Sequence, residues 1–482
     1  MTARVPVAAL IAVVAAVVGC GAGSRIGRGI VPVMILGAAI VGVVAVARAG
    51  PVGAIAGVVA VFLLAAPVSA RAHHGVRNSP LAVPVARGAT ATLTGRAVDD
   101  PDVGRYAAGL LVRVELGWTH RTVLVRATGD DAMRLARLRA GDRVVVRGRL
   151  DPLLRAGDHR ARRRHAVARL ADAHLLAFRA PTGVRAGVEA LRARVLSGVD
   201  RLAPDRRGLF AGFLIGETQD VPAGTIAAFR ASGLSHLLAV SGANVAFVLA
   251  VVGPALRRLR LGPRTAVALL VVAGFAVVTR GEPSVLRASV LAAGSLLATA
   301  VGRPAARLRL LGYAVIVLLI GDPFLVGAPG FWLSVGASAG IVCGAPALDR
   351  RLPGPAPLRS ALAVSLAAQA GVAPVLIVVT GSVPVVTPLA NLVVAPAAEL
   401  LGTAGLALAL IAGFIPIVGS VARPLVEMPL AWVEGVARLG ANVPVTLGPG
   451  AAAGLGAAAV VVRGASVACR RGSRAVPGSP TR

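Results

Sequence analysis

The 482-residue sequence contains no lysine, so all 51 of its basic side chains are arginine. A P-loop ATPase needs a lysine on the β- and γ-phosphates of its nucleotide, and the absence of lysine excludes that class. Charged residues make up only 15% of the chain and the mean hydropathy is +0.78, whereas about a quarter of the residues in soluble domains are charged. The composition therefore predicts a membrane protein.

Cysteine is also scarce, with Cys20, Cys343 and Cys469 widely spaced and no C-x-x-C pair. This spacing gives neither a disulfide framework nor a zinc ribbon, and we expect no metal site and no cofactor. Cys20 ends a VVGC tetrad that resembles a lipoprotein cleavage site, but further apolar segments follow it directly. An ordinary first membrane helix is therefore the favoured interpretation of this tetrad.

Apolar runs define two membrane blocks, because a helix needs about 20 apolar residues to cross the hydrocarbon core. The first block is residues 1–70, and the second, residues 208–463, is predicted to be a polytopic domain. The predicted spans are residues 5–20, 30–46, 52–70, 234–252, 266–278, 284–301, 310–320, 331–343 and 362–379. The sequence thus predicts a mostly α fold, a polytopic bundle of transmembrane helices.

The end of the second block is less regular. Residues 388–414 are interrupted at Pro396 and Glu399, and this pattern predicts a re-entrant pair. Residues 432–441 are predicted to be interfacial, and residues 454–462 form a last hydrophobic piece. The basic tail that follows, at residues 464–482, is predicted to be disordered.

The region between the two blocks has a different character, with 27 arginines against 13 acidic residues in positions 71–207. Strand-like alternation in ATATLTGRAV, LLVRVEL and HRTVLVRAT is followed by a helical piece, a further strand and a last strand near residues 173–178. This order predicts a small, β-rich, OB-like domain inserted at residues 71–180. An amphipathic helix that lies on the membrane surface is predicted within residues 181–207.

Arginine-rich joints alternate with joints that contain almost no arginine. The rich joints are residues 257–264, 302–309 and 350–351, and the poor ones are residues 281–283, 321–330 and 380–384. The positive-inside rule places the rich joints in the cytoplasm. The OB-like domain is then predicted on the outer face of the membrane.

Polar residues recur within or beside the predicted spans, where by default they face a bundle interior or a water-filled path. In GLSHLLAVSGANV, Ser241 and Asn244 share a helix face, and they either pack against a neighbouring helix or line such a path. A hydrolase that acts through Ser241 is disfavoured because no acid completes a catalytic triad. The path candidates are His236, Ser241, Asn244, Glu282, Arg287, Ser334, Gln369, Asn391 and Glu399.

Four motifs follow one another along the chain: GLSHLLAVSGANV, EPSVLRASVLA, DPFLVGAPGFWLSVGASAGI and PLANLVVAP. In this order they resemble the competence domain of the ComEC family, proposed inner-membrane channels for DNA uptake in natural transformation. The resemblance implies a channel that passes single-stranded DNA across the cytoplasmic membrane of a bacterium. A transporter or flippase for another anionic polymer or lipid is the alternative.

The sequence departs from the family pattern in two ways. Many members have a second histidine where this chain has Asn244, so a metal or proton role that needs both histidines is in doubt. Many members also continue into a metallo-β-lactamase-like domain, but no H-x-H-x-D-H motif occurs here. The chain is therefore expected to lack that nuclease.

The basic outer domain fits a polyanionic substrate, because arginines that neutralise phosphates release counterions whatever the base sequence. An OB-fold adds aromatic stacking to such binding. The DNA-binding candidates are Arg160, Arg162, Arg163, Arg164, Arg169, Trp118 and Tyr106. For the arginine run, a solvated face or attraction to anionic lipid headgroups is an equal alternative.

The implied partners are single-stranded DNA, membrane lipids, a DNA receptor outside, an ATP-driven helicase or translocase inside, and further copies of the chain in a homo-oligomer.

Overall fold

The computed structural model describes most of the chain. The described residues are 4–23, 34, 38, 51–104, 106–117, 119–153, 158, 161–162, 164–198, 200, 202–217, 220–238, 242–302, 306–443 and 445–448. The predicted span at residues 30–46 falls almost entirely outside this set, and residues 454–462 and 464–482 fall wholly outside it.

Two long helices, α1 (Arg4–Gly23) and α2 (Pro51–Arg77), form the described part of the N-terminal block. They pack closely because Gly19 has no side chain, and a Cβ there would lie 3.0 Å from the Phe62 carbonyl oxygen. The Ser69 hydroxyl donates to the Cys20 carbonyl at 2.6 Å, and the Cys20 thiol is free and buried.

A short helix, α3 (Ala82–Ala86), leads into a six-stranded sheet. The strands are β1 (Thr90–Ala97), β2 (Asp102–Val103), β3 (Ala107–Leu116), β4 (Thr119–Thr128), β5 (Arg143–Asp151) and β6 (Ala166–Arg179). The order is β1-β5-β6-β4-β3-β2, and an added β1–β3 pairing closes five of the strands into a barrel. With β4 and β6 parallel, and α4 (Gly129–Ala136) between β4 and β5, this is the predicted OB-like fold.

The barrel closes because its strands alternate in polarity. Val112 and Val114 of β3 and Val123 of β4 point inward and are fully buried, whereas Arg113 and Arg126 on the same strands are exposed. Strand β6 is longer than the predicted 173–178, because it pairs in parallel with β4 before it pairs antiparallel with β5.

The chain returns to the membrane domain through α5 (Val184–Ser197), which covers most of the predicted amphipathic helix. Arg192, on the face that the sequence assigns to solvent, is buried with 3% of its surface exposed. Val195 packs into the core of the membrane domain. Helix α5 therefore carries a buried polar face as well as a buried apolar one.

The second block consists of twelve described helices. They are α6 (Pro204–Ile215), α7 (Ala223–Ala231), α8 (Ser235–Leu238), α9 (Gly242–Leu256), α10 (Leu261–Val278), α11 (Pro283–Ala300), α12 (Arg307–Gly321), α13 (Pro329–Asp349), α14 (Ala356–Thr380), α15 (Thr387–Leu400), α16 (Leu406–Phe414) and α17 (Pro416–Ala441). Two short strands, β7 (Val383–Pro384) and β8 (Thr446–Leu447), pair beside them.

Within the described part of the chain, six helical segments are long and apolar enough to cross a bilayer. They are Val58–Arg77, Leu261–Val278, Pro283–Ala300, Pro329–Asp349, Ala356–Thr380 and Thr387–Phe414. The chain is therefore a mostly helical membrane protein with a small inserted β domain, as the sequence predicts.

The predicted re-entrant pair at residues 388–414 is wrong. Helix α15, a π-helical turn (Leu401–Gly405) and α16 form one continuous segment of 28 residues. Pro396 does not end α15, and the wide turn that follows Glu399 absorbs the irregularity without reversing the chain.

The interfacial prediction for residues 432–441 describes only the end of a longer element. Helix α17 has 26 residues, and its residues Leu430, Val433 and Ala437 lie in the largest core of the membrane domain. Four charged residues along α17 hide its length from a search for apolar runs.

Helices α13 and α14 approach each other closely because glycines line their contact. A Cβ on Gly371 would overlap the carbonyl oxygen of Gly336, and one on Gly340 would overlap that of Ala367. Such small residues let helix backbones meet in lipid, where apolar burial gives little association energy. The opposite side of α13 is left facing α11.

Candidate functional site

A buried arginine joins the helices of the membrane domain. Arg287, in the second turn of α11, has 7% of its surface exposed. Its Nε donates to Ser334 Oγ and its Nη1 to Ser338 Oγ, both at 2.7 Å. The two serines are four residues apart on α13 and therefore share a face. Two of the predicted path residues, Arg287 and Ser334, are thus in direct contact.

Gly242, the first residue of α9, lies against the same guanidinium group. A Cβ at this position would lie 2.9 Å from Arg287 Nη2 and 3.1 Å from Ala288 Cβ, so any larger residue would require the guanidinium group to shift. Three of the four sequence motifs therefore meet here. We call Arg287, Ser334, Ser338 and Gly242 the arginine site.

A second polar group lies between α14 and α15. The Gln369 amide donates to the Pro384 carbonyl at 3.1 Å, and the Asn391 amide donates to Ser365 Oγ at 3.3 Å. The Ser365 hydroxyl in turn donates to the Pro388 carbonyl at 3.3 Å. We call Ser365, Gln369 and Asn391 the amide cluster.

The amide cluster holds extended backbone beside the middle of a membrane-length helix. Gln369 is near the centre of the 25-residue α14, and its partner Pro384 belongs to β7, which pairs with β8. At membrane depth, non-helical backbone is tolerated only where protein buries it or where it lines a water-filled space. The cluster therefore marks a polar zone within the bundle.

The first motif also meets the residue that directly precedes the fourth. Thr387 Oγ1 donates to the Ser232 carbonyl at 3.3 Å, and its side chain packs on Gly233, which has a φ of +75°. His236, in the next turn, is exposed, and its Nδ1 lies 3.3 Å from the Gly233 carbonyl oxygen. The structure does not bring His236 to the arginine site or to the amide cluster.

Asn244 is buried and joins α9 to α6. Its amide nitrogen donates to the carbonyls of Phe213 at 2.8 Å and Leu214 at 3.4 Å. These carbonyls belong to the last turn of α6, where intrahelical partners run out. Of the other path candidates, Glu399 is exposed on α15, and Ser241 lies outside the described residues.

Five charged residues that sequence analysis did not group together join the barrel to the membrane domain. Arg192 pairs with Glu217 at 2.9 Å, and Arg280 pairs with Glu189 at 3.2 Å and closely with Asp100. None of the five side chains is more than 20% exposed. We call them the charge cluster. Its sequence signals are the acidic DDPD stretch within an otherwise basic domain and the charged residues Glu217 and Arg280 at the edges of apolar segments.

The charge cluster shifts the pKa values of its acids in opposite directions. Burial raises the pKa of Glu189, and the nearby Arg280 and Arg192 reverse only part of this effect. Burial acts in the same sense on Asp100, but the hydrogen bond and charge of Arg280 outweigh it and hold the pKa of Asp100 below its ordinary value. Arg280 of the membrane domain therefore stabilises the charged form of Asp100 of the barrel.

The barrel carries a cavity of about 260 Å³ on the face where OB-folds bind oligonucleotides. It is lined by strands β3 and β4 and by Asp99, Asp102, Gly104, Tyr106, Asp158 and Ala161. Tyr106, a predicted stacking residue, stands at this cavity with 77% of its surface exposed. Arg126 also contributes to the lining, beside Asp99 and Asp102.

The predicted phosphate-binding run has other partners where the structure describes it. Arg164 pairs with Glu282 of the membrane domain at 3.5 Å, and Arg169 pairs with Asp151 of the barrel at 3.3 Å. Arg162 donates to a backbone carbonyl at 3.1 Å. Part of this run therefore faces the membrane domain. The candidates outside the described residues are Arg160, Arg163 and Trp118.

Comparison with known proteins shows the family to which the chain belongs. The chain is similar to ComE operon protein 3 of Bacillus subtilis (strain 168), with 30% identity over 169 residues that cover 34% of this chain and 21% of that protein. No solved structure matches the chain. The sequence model of the family described as Competence protein matches residues 213–472, which include the arginine site and the amide cluster. Because this match covers more than half of the 482 residues, the chain belongs to the Competence protein family.

Proposed function

We propose that the chain passes single-stranded DNA across the cytoplasmic membrane during DNA uptake in competence. The observation that carries the proposal is the amide cluster, which holds extended backbone level with the middle of α14. Family membership supplies the link to competence.

The physical argument starts from the substrate. Every phosphate of single-stranded DNA is charged, so hydrocarbon excludes the strand and a hydrated, protein-lined path is required. Five membrane-domain helices, α9, α11, α13, α14 and α15, contribute polar contacts inside the bundle.

The barrel is proposed to lie on the outer face, and its contacts support this orientation. Arg164 reaches Glu282, and His165 Nε2 lies 3.0 Å from Asp322 Oδ1. Glu282 and Asp322 belong to two arginine-poor joints, which the positive-inside rule places outside. The barrel therefore docks on the side from which DNA arrives. A DNA receptor outside and an ATP-driven helicase or translocase inside are the partners we propose.

The proposal is tested by uptake of labelled DNA in cells that carry variants of the amide cluster. Asn391→Leu is expected to reduce labelled DNA in the cytoplasm at least tenfold and to leave DNA at the cell surface unchanged. Leu389→Ile, at an exposed apolar position on the same helix, is the matched control and is expected to retain uptake. Normal uptake by the Asn391 variant would overturn the proposal. Unchanged uptake with altered movement of lipid between leaflets would favour the flippase alternative.

A further inference from the structure

Three arginines lie side by side on the outer surface of the barrel. In the strand register, Arg96 of β1 is directly opposite Arg113 of β3 on one side and Arg143 of β5 on the other. All three are exposed, because they alternate along their strands with residues that point into the barrel core. Neighbouring strands are about 4.8 Å apart, so the three residues form a line about 10 Å long. We call them the arginine row.

Acids compensate little of the charge of the arginine row. Arg143 pairs with Glu115 at 2.9 Å, and this pair is on the surface. Among the residues that the structure describes, neither Arg96 nor Arg113 has an ion-pair or hydrogen-bond partner for its guanidinium group. Arg147, on the same outward face of β5, is also exposed and has no such described partner. Like charges directly opposite each other destabilise a sheet, so the row costs stability unless an anion lies across it.

Other arginines on the barrel already have acidic partners or neighbours. Arg149 and Arg169 share Asp151, at 3.1 and 3.3 Å. Arg126 lies at the cavity on β3 and β4, whose lining also contains three aspartates. Carboxylates repel phosphates, so the face through which OB-folds bind oligonucleotides is less suited here to a phosphate chain than the arginine row is.

We propose that the arginine row binds the sugar–phosphate backbone of single-stranded DNA. Phosphates linked in one chain match a line of guanidinium groups whose spacing the strand register fixes, and each guanidinium group can hold phosphate oxygens in a fork. Thr92 and Thr94 lie on the same outward face of β1, and their hydroxyls are further donors of the kind that contact phosphates. Such contacts are independent of base sequence. This inference rests on the proposed function, which supplies single-stranded DNA as the polymer.

The test is binding of a fluorescent single-stranded thymidine oligonucleotide by the full chain in phosphatidylcholine nanodiscs, measured by anisotropy over a range of salt concentrations. Arg96→Gln/Arg113→Gln removes two phosphate contacts and is expected to lower the slope of log Kd against log salt by about 1.4, at about 0.7 for each contact. The rise in Kd between 50 and 200 mM salt then becomes about sevenfold smaller. The matched control, Arg134→Gln/Arg137→Gln, removes two exposed arginines elsewhere on the barrel and is expected to keep the wild-type slope.

A urea titration shows whether the row variant is folded, and we expect it to be at least as stable as the wild type because the two charges it loses repel each other. Equal slopes for the row variant and the wild type would overturn the inference. An equal loss of slope in the two double variants would also overturn it, since binding would then be a diffuse attraction to the whole barrel.

Anionic lipid is tested with nanodiscs that contain phosphatidylglycerol. If native mass spectrometry shows that the row variant loses bound phosphatidylglycerol while its oligonucleotide slope is unchanged, the row contacts lipid headgroups and the inference is overturned. Oligonucleotide binding does not require passage across the membrane. The uptake test through Asn391 and this binding test therefore fail separately.

Discussion

Replacement of Arg192 by leucine tests whether the charge cluster holds the barrel on the membrane domain. The Arg192 side chain is 4% exposed and contacts Glu217 at 2.9 Å, Asp100 at 3.9 Å and Glu189 at 4.0 Å. It also donates to the Val278 carbonyl. Leucine would fill much of the same volume but would leave Glu217 without its nearest cation in a site that water barely reaches.

The expected loss of stability follows from the charge of Glu217, which the substitution leaves without its nearest partner. Removal of one member of a buried ion pair destabilises a protein by about 3–5 kcal/mol, chiefly because the remaining charge stays buried. Arg280 still neutralises Asp100 and Glu189 in the variant, and Arg139 lies 4.0 Å from Glu217. We therefore expect the free energy of unfolding to fall by about 3 kcal/mol, near the lower end of this range.

The assay is urea titration of the full chain in nanodiscs, combined with limited proteolysis of the segment at residues 180–183, which connects the barrel to α5. The matched control is Arg185→Leu, at an exposed position on the same helix, with an expected change within about 0.5 kcal/mol. Faster cleavage at 180–183 is expected for the Arg192 variant alone. Equal stability and equal cleavage in the two variants would refute the view that the cluster holds the barrel in place.

Three further outcomes are expected. Gly242→Ala should lower the free energy of unfolding by about 1–3 kcal/mol in a urea titration, because its Cβ meets the buried Arg287. Gly253→Ala, on the same helix with nothing within 4 Å of its Cβ, should be neutral or stabilising. Equal effects of the two substitutions would contradict the geometry of the arginine site. Asp100→Asn should remove the part of the acid sensitivity that Asp100 contributes. The pKa of Asp100 is held below its ordinary 3.8, so its contribution to stability is present above that value and is lost as pH falls through the folded pKa; an unchanged stability profile below about pH 4 would argue against this role. Gly371→Ala should weaken packing of α13 on α14 by about 1–3 kcal/mol, and Gly330→Ala, which meets nothing within 4 Å, should not; thermal unfolding distinguishes the two.

Local patterns predicted the elements whose environment is uniform along their length. Strands β3 and β4 alternate over most of their length, with Leu111 and Thr122 as additional buried residues, and were found within a few residues because one barrel face is buried and the other is solvated. The first half of helix α17 was missed in the prediction because Arg423 and Glu427 interrupt its apolar pattern, and Glu434 interrupts the rest. Glu427 pairs with Arg423 and Glu434 with Arg438 on the same helix. In the fold the two acids also accept hydrogen bonds from the Ala203 amide and the Thr225 hydroxyl, which no local window contains.

In the candidate site, too, local patterns predicted single residues but not which of them are in contact. Arg287, Ser334, Gln369 and Asn391 stand out in the sequence because polar residues are costly within apolar runs. Their division into an arginine site and an amide cluster depends on which helices are neighbours. Arg164 and Glu282 are in contact in the structure. The sequence did not predict this contact, because the two residues lie in different domains.

The sequence alone determined that this is a membrane protein with a basic β domain inserted between two apolar blocks, because hydropathy and strand alternation act over stretches of ten to twenty residues. Only the tertiary structure decided which charges meet. Arg192 reads as the solvated face of an amphipathic helix, yet it is buried between Glu189 of its own helix and two acids that are distant in the chain, Asp100 and Glu217. Burial and Coulomb energy depend on distances in space, and residues far apart in the chain set those distances.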